Sequence, residues 1–229
     1  YLAVEQPDED RAAALGVGLR EGADRADVRL LGGETAVMPE VVRGYDLAGT
    51  CVGLAPKDAV FPGTAEVGDA LVGWASSGIH SNGLTLAREA VTREKNYDDP
   101  CPFEGYETLG EALLEPTRIY TDLLDPMREA GVRAAAHVTG GGWRNLGRMG
   151  AFRYEITEPW PAQPVFEYVQ RVGGVSDAEM HRTFNVGTGF VAACPPETAD
   201  TLADETDGRV IGRVTEGDCV AIRGLELSE

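Results

Sequence analysis

Residues 133–148 read Arg-Ala-Ala-Ala-His-Val-Thr-Gly-Gly-Gly-Trp-Arg-Asn-Leu-Gly-Arg. A small-residue, apolar strand over Arg133–Val138 runs into three consecutive glycines and then a short helix over Trp143–Arg148. A strand that ends in a glycine turn at a helix start presents backbone N–H groups to an anion. The turn carries no Gly-Lys-Ser/Thr and no GxGxxG, so neither a P-loop nor a dinucleotide fingerprint applies. A flexible connector is the competing reading of the same glycines.

Strands and helices alternate on both sides of this stretch. Upstream, Asp8–Ala23 spaces Ala12, Leu15 and Leu19 at helical intervals and ends at Gly22. Val28–Leu31 and Tyr45–Leu54 read as strands, and Lys57–Val67, with Pro62 and Gly63, as a boundary between two modules. Ala70–Ala75 is an apolar strand, Leu84–Arg93 a helix, Asn96–Gly105 a polar loop, and Thr117–Ala130 a helix that Pro126 kinks or splits. Downstream come a strand over Phe152–Thr157, helices over Pro164–Arg171 and Asp177–Arg182, a strand over Val186–Ala193 and a helix over Glu197–Glu205. Arg209–Val214 and Cys219–Ile222 read as a closing hairpin. The alternation predicts an α/β or α+β fold.

Composition narrows the function classes. The 229 residues carry 38 acidic and 20 basic side chains, a net charge of −18 that opposes binding to nucleic acid or anionic lipid. No run approaches the ~20 apolar residues of a membrane span, and no signal peptide is evident, so a cytoplasmic protein is expected. The only lysines are Lys57 and Lys95; acid excess with scarce lysine predicts adaptation to high salt. The four cysteines form no CxxC or Cys/His cluster, as in a reduced protein without structural zinc. The chain starts without Met, and Tyr1–Val4 reads like a strand entered midway, so a fragment is expected.

Three further loops carry candidate chemistry. In Gly32-Gly33-Glu34-Thr35, the glycines permit close backbone approach, Glu34 offers oxygens suited to Mg²⁺ and Thr35 a hydroxyl; a tight turn with a solvated Glu is the alternative. In Ser76–Gly83, Ser81 or Asn82 is placed to cap the following helix, and His80 to meet a phosphate or transfer a proton. Met180–Gly189 offers Arg182, whose fork suits phosphate, beside Asn185; His181 reads as a helix-face residue. No GxSxG or HExxH occurs, which disfavours a classical hydrolase.

In order, GGETAVMPEVVRGYDLAGTCVG, GDALVGWASSGIHSNGLTLAR, LLEPTRIY, HVTGGGWRNLGR and MHRTFNVGTGF make a set that resembles the AIR synthetase family, the phosphoribosylformylglycinamidine cyclo-ligases. The resemblance covers nearly the whole chain. It implies two α/β domains, with residues 1–60 the back half of the N-terminal one and 61–229 the C-terminal one. It also implies a homodimer through the N-terminal domain, and an active site in the cleft between domains. The family's upstream half-domain, with its SGTDGVGTK-like segment, is not in this chain, so the catalytic apparatus is expected to be incomplete. The implied reaction is ATP-dependent closure of formylglycinamidine ribonucleotide to aminoimidazole ribonucleotide, with ATP and Mg²⁺. By motif match, His80, His137 and Arg182 are catalytic candidates, and Glu34 and Asp46 metal-side carboxylates. Gly32, Gly33, Thr35, Ser77, Gly78, Ser81, Asn82, Thr139, Gly140, Gly141, Gly142, Thr183 and Asn185 are nucleotide or phosphate contacts. Other ATP-cleaving members of the superfamily are alternatives: formylglycinamidine ribonucleotide synthase, selenophosphate synthetase, thiamine-phosphate kinase and hydrogenase-maturation proteins. So is a non-catalytic nucleotide-binding relative.

Overall fold

The computed structural model describes residues 1–227. The chain forms two compact units, Tyr1–Lys57 and Asp58–Glu229.

The first unit is a three-stranded sheet with one helix. β1 (Leu2–Val4) lies between β2 (Thr35–Val37), which is parallel to it, and β3 (Tyr45–Leu47), which is antiparallel. Helix α1 (Glu9–Arg25) starts where the Asp8 carboxylate accepts the Arg11 N–H at 2.9 Å, with Glu9 and Asp10 in its first turn favouring the helix dipole. Two expected strands are corrected. Val28–Leu31 forms no strand; both edges of β1 are taken by other segments, and Leu31 is 92% exposed. Of Tyr45–Leu54, only the first three residues pair.

The second unit is built on a seven-stranded, mostly antiparallel sheet of order β10-β9-β6-β8-β4-β7-β5. These are β4 (Ala70–Ala75), β5 (Ala134–His137), β6 (Arg153–Ile156), β7 (Thr188–Cys194), β8 (Arg209–Thr215), β9 (Cys219–Ile222) and β10 (Leu225–Leu227). The central strands read as unbroken apolar runs because both faces of the sheet are covered. Leu71, Val191, Ala193 and Ile211 join one core with Trp143, Leu146 and Met149. Val72, Trp74, Ala192 and Cys194 face a second, filled by α4 (Leu124–Glu129) and α7 (Pro196–Glu205). A third core joins α2 (Leu84–Val91), α3 (Leu109–Leu113), α5 (Pro164–Gly173) and α6 (Asp177–Thr183).

Three expectations fail here for identifiable reasons. β8 and β9 do not form a hairpin: β6 lies between them, antiparallel to β8 and parallel to β9, and β9 instead turns into β10. Thr117–Ala130 is not one helix. It stays irregular to Tyr120, makes a 3₁₀ turn over Thr121–Leu123 and only then enters α4, with Pro126 in the first turn, where no N–H is needed. Neither Ser81 nor Asn82 caps α2; the cap position is Gly83, in the left-handed region at φ +69°. Helix α3 lies just beyond the expected Asn96–Gly105 loop, in a stretch given no element from the sequence, and starts at a full capping box of Thr108 and Glu111.

Candidate active site

The site grows from the end of β4. Beyond Ala75 the chain turns through Ser76–Gly83, and Ser76 N–H donates to the Gly187 carbonyl at 2.9 Å. His80 sits in the left-handed region at φ +62° and is only 4% exposed. Its Nε2 accepts the Ser77 N–H at 3.1 Å, which puts the proton of the neutral ring on Nδ1; that atom has no partner among the described residues. Burial and the neighbouring His137 push its pKa down to about 4. His137 ends β5 with its Nε2 likewise unpartnered, and burial lowers its pKa too. The two ring centroids lie 6.0 Å apart. At neutral pH both are uncharged imidazoles.

Tyr120 holds this pair from one side. Its ring stacks on Phe190 at 5.3 Å and stands edge-on to His137 at 5.5 Å, while its hydroxyl donates to the Ala75 carbonyl at 3.0 Å. Gly189 makes the room: a Cβ there would collide with the Tyr120 hydroxyl and lie 2.9 Å from His80 Cε1. Arg118 donates to the same Ala75 carbonyl at 3.3 Å, its guanidinium 5.2 Å from the Tyr120 ring centre. Ser77 Oγ donates to the Pro116 carbonyl at 2.6 Å and accepts the Arg118 N–H at 3.1 Å; Ser81 Oγ lies 3.3 Å from Thr117 Oγ1. Arg118 and Tyr120 were missed as site residues. Their motif, PTRIY, was visible, but reading it as a helix hid which way it leads.

The glycine turn is braced from behind. Asn145 Nδ2 donates to the carbonyls of Gly140 at 3.1 Å and Gly142 at 2.9 Å. Gly142, at φ +58°, lies so close to the His181 carbonyl that no Cβ fits. The Asn82 side-chain oxygen sits over Gly140, 3.3 Å from where its Cβ would be. Asn185, 2% exposed, ties the bends together. Its amide donates to the Gly78 carbonyl at 2.8 Å, its Oδ1 accepts the Gly187 N–H at 2.9 Å, and its backbone carbonyl accepts from Trp143 Nε1 at 3.0 Å. Ser76–Gly83, Pro116–Tyr120, His137–Gly142 and Asn185–Gly189 therefore converge. Arg182 and Thr183 close helix α6 beside them; Thr183 Oγ1 is engaged by Glu179 at 2.9 Å. His181 Nδ1 meets its own helix at the Asp177 carbonyl, 2.8 Å away.

Gly32, Gly33, Glu34, Thr35 and Asp46 belong to the first unit. A side chain at Gly32 or Gly33 would meet nothing within 4 Å, so the fold itself does not demand glycine there. Glu34 immediately precedes β2, and Asp46 lies in β3, with β1 between the two strands. Among the described residues, no three His, Cys, Asp or Glu side chains come together as a metal cage. Two carboxylates flanking β1 do not by themselves hold Mg²⁺.

A braced glycine turn beside two neutral imidazoles, at the edge of a mostly antiparallel sheet, is the setting in which the chain's relatives are found. The chain belongs to the AIR synthase related protein family, whose N-terminal domain matches residues 1–55 and whose C-terminal domain matches residues 66–224. Curated relatives named phosphoribosylformylglycinamidine cyclo-ligase include that of Methanosarcina acetivorans, 42% identical over 218 residues, with 94% of this chain and 66% of the relative covered. That of Methanopyrus kandleri is 42% identical over 234 residues, covering 97% of this chain and 67% of the relative. The chain thus spans about two thirds of the length of these relatives. Solved structures share the fold. Thiamine-monophosphate kinase from Stenotrophomonas maltophilia superposes with a TM-score of 0.65 at 20% identity, covering 99% of this chain and 72% of that one. Hydrogenase maturation protein HypE in complex with ATP gives 0.64 at 17%, covering 99% and 71%. No helix among the described residues is long and apolar enough to cross a membrane.

Proposed function

We propose that the chain serves the ATP-dependent closure of formylglycinamidine ribonucleotide to aminoimidazole ribonucleotide, as in the relatives named cyclo-ligase. The observation that carries this reading is the convergence of four small-residue bends on two uncharged imidazoles, His80 buried and His137 half-buried. The formyl oxygen leaves poorly until it is phosphorylated. Phosphoryl transfer from ATP to that oxygen, attack by the amidine nitrogen on the same carbon, and loss of phosphate close the ring and release ADP. Positioning and charge neutralisation dominate the lowering of such a barrier. His137, neutral at working pH, accepts the proton the attacking nitrogen sheds, while His80, whose unpartnered Nδ1 carries the ring proton, donates to an oxygen. Gly140 and Gly141 offer N–H groups to phosphate, Thr139 its hydroxyl and Arg182 its guanidinium, while the N–H groups of Thr139 and Gly142 close the turn itself. The remaining nucleotide contacts are Ser77, Gly78, Ser81, Asn82 and Thr183; Asn185, 2% exposed with both amide atoms engaged, positions these bends instead.

In this reading residues 1–60 form part of the N-terminal, ATP-side domain and 61–229 the C-terminal domain. Mg²⁺ accompanies ATP, and Glu34 and Asp46 contribute to it only together with ligands from outside the described residues. A cytoplasmic homodimer acting on a small molecule, without nucleic acid or membrane, completes the proposal. The test is to incubate the polypeptide at its native length with ATP, Mg²⁺ and formylglycinamidine ribonucleotide. Aminoimidazole ribonucleotide, ADP and phosphate should appear in equal amounts. His137→Ala and Arg182→Ala should each cost at least about tenfold in turnover without unfolding. Phosphorylation of thiamine monophosphate without ring closure, or wild-type rates from both variants, would overturn the assignment.

A further inference from the structure

The chain has 18 arginines, and most are engaged by carboxylates, carbonyls or rings. Arg29, Arg43, Arg88, Arg144, Arg148 and Arg223 are exceptions, and of these Arg144 and Arg148 share one hollow. Among the described residues neither guanidinium has a partner, although carboxylates outnumber cations nearly two to one. Both belong to the 3₁₀ helix Gly142–Met149. Both also line one hollow of about 430 Å³, which begins at Gly141 of the glycine turn. That volume lies in the range of small-molecule sites.

The other walls are built rather than incidental. Phe152 lies against Gly150, whose φ of +122° and missing Cβ admit the ring; a Cβ there would come within 2.6 Å of it. Tyr154 donates its hydroxyl to the Gly150 carbonyl at 2.8 Å, which commits that group to the backbone. Asp218, just before β9, brings a carboxylate to the hollow and forms no ion pair with either arginine among the described residues.

We propose that this hollow binds a ribosyl 5-phosphate group. Arg144 and Arg148 take the phosphomonoester through charge-assisted hydrogen bonds. Asp218 accepts from a ribose hydroxyl, and the partly buried Phe152, backed by the core residue Tyr154, covers the apolar edge of the sugar. The proposal rests on the reading above in one respect, that the substrate is a ribonucleotide, and it assigns that substrate's phosphate end to a place beside the glycine turn.

Binding is measurable without turnover. Isothermal titration of the chain with ribose 5-phosphate, inorganic phosphate and ribose supplies the probes. Arg144→Gln and Arg148→Gln should each weaken ribose 5-phosphate about tenfold, and together about a hundredfold. Asp218→Asn should weaken ribose 5-phosphate while strengthening inorganic phosphate, because a like charge has gone. Arg88→Gln, on α2, should change neither. Three results would overturn the proposal: no saturable binding of ribose 5-phosphate to the parent chain, parental affinity in the double arginine variant, or Asp218→Asn strengthening both anions alike. The last would mark a bare anion site. If ring closure fails while these affinities behave as stated, only the functional reading falls; if it proceeds while they do not, only the subsite does.

Discussion

His80, in a turn, and His137, at the end of β5, approach each other with ring centroids 6.0 Å apart, and each keeps one buried ring nitrogen without a partner among the described residues. Nothing in their local sequences announces the pairing. It follows from the ladder between β5 and β7, which sets His137 opposite Phe190, and from the left-handed turn that folds His80 back toward Ser77.

The pair makes stability depend on pH. Above about pH 6.5 neither folded nor unfolded chain binds a proton at His80. Below it the unfolded chain does, while burial and His137 hold the folded imidazole neutral until about pH 4. Stability is therefore fully present above pH 6.5 and declines as pH falls toward 4, by up to about 3 kcal/mol from this residue. His80→Asn, which tolerates the left-handed backbone, should flatten that part of the decline. Chemical denaturation at pH 7.5, 6 and 4.5 measures it; parallel curves for parent and variant would refute it.

Asn185 is expected to be the costliest polar residue of the site to lose. Asn185→Ala leaves the Gly187 N–H and the Gly78 carbonyl buried without their partner. The cost should be about 2–4 kcal/mol, read as a lower denaturation midpoint with an unchanged slope.

Two glycines in one segment should behave oppositely. Gly142→Ala must place a methyl group against the His181 carbonyl from a left-handed backbone, and should destabilise by at least about 2 kcal/mol. Gly147→Ala meets open space and should be neutral or stabilising by up to about 1 kcal/mol. Comparable losses from both would show that the turn is not constrained as described.

With 38 acidic against 20 basic side chains, self-repulsion should outweigh the exposed ion pairs. The thermal midpoint is then expected to rise between low salt and molar potassium chloride. Equal midpoints would remove the case for salt adaptation.

Much of the second unit was legible because burial on both sheet faces writes itself as continuous apolar runs, as in Ala70–Ala75. The glycine-rich loops were legible as turns, since left-handed residues have few alternatives. Pairing was not legible where partners are distant in sequence. Arg209–Val214 and Cys219–Ile222 look like a hairpin because they are adjacent, and only the three-dimensional ladder reveals β6 between them. Arg118 and Tyr120 were obscured for a related reason. A helical reading of Thr117–Ala130 turns their side chains through a spiral, whereas the irregular backbone lays both beside Ala75.

The insertion of β6 bears on how the polypeptide acquires its shape as it leaves the ribosome. β6 is made long before either of the strands that flank it, so at that moment it has nothing to pair with. The sheet can be completed only after residue 227 has emerged, by which time Arg153–Ile156, with its core residues Tyr154 and Ile156, has waited through some seventy residues of synthesis. Folding of this unit is thus a late, concerted event governed by distant contacts, and nascent chains halted before β8 would be the ones most in need of a chaperone.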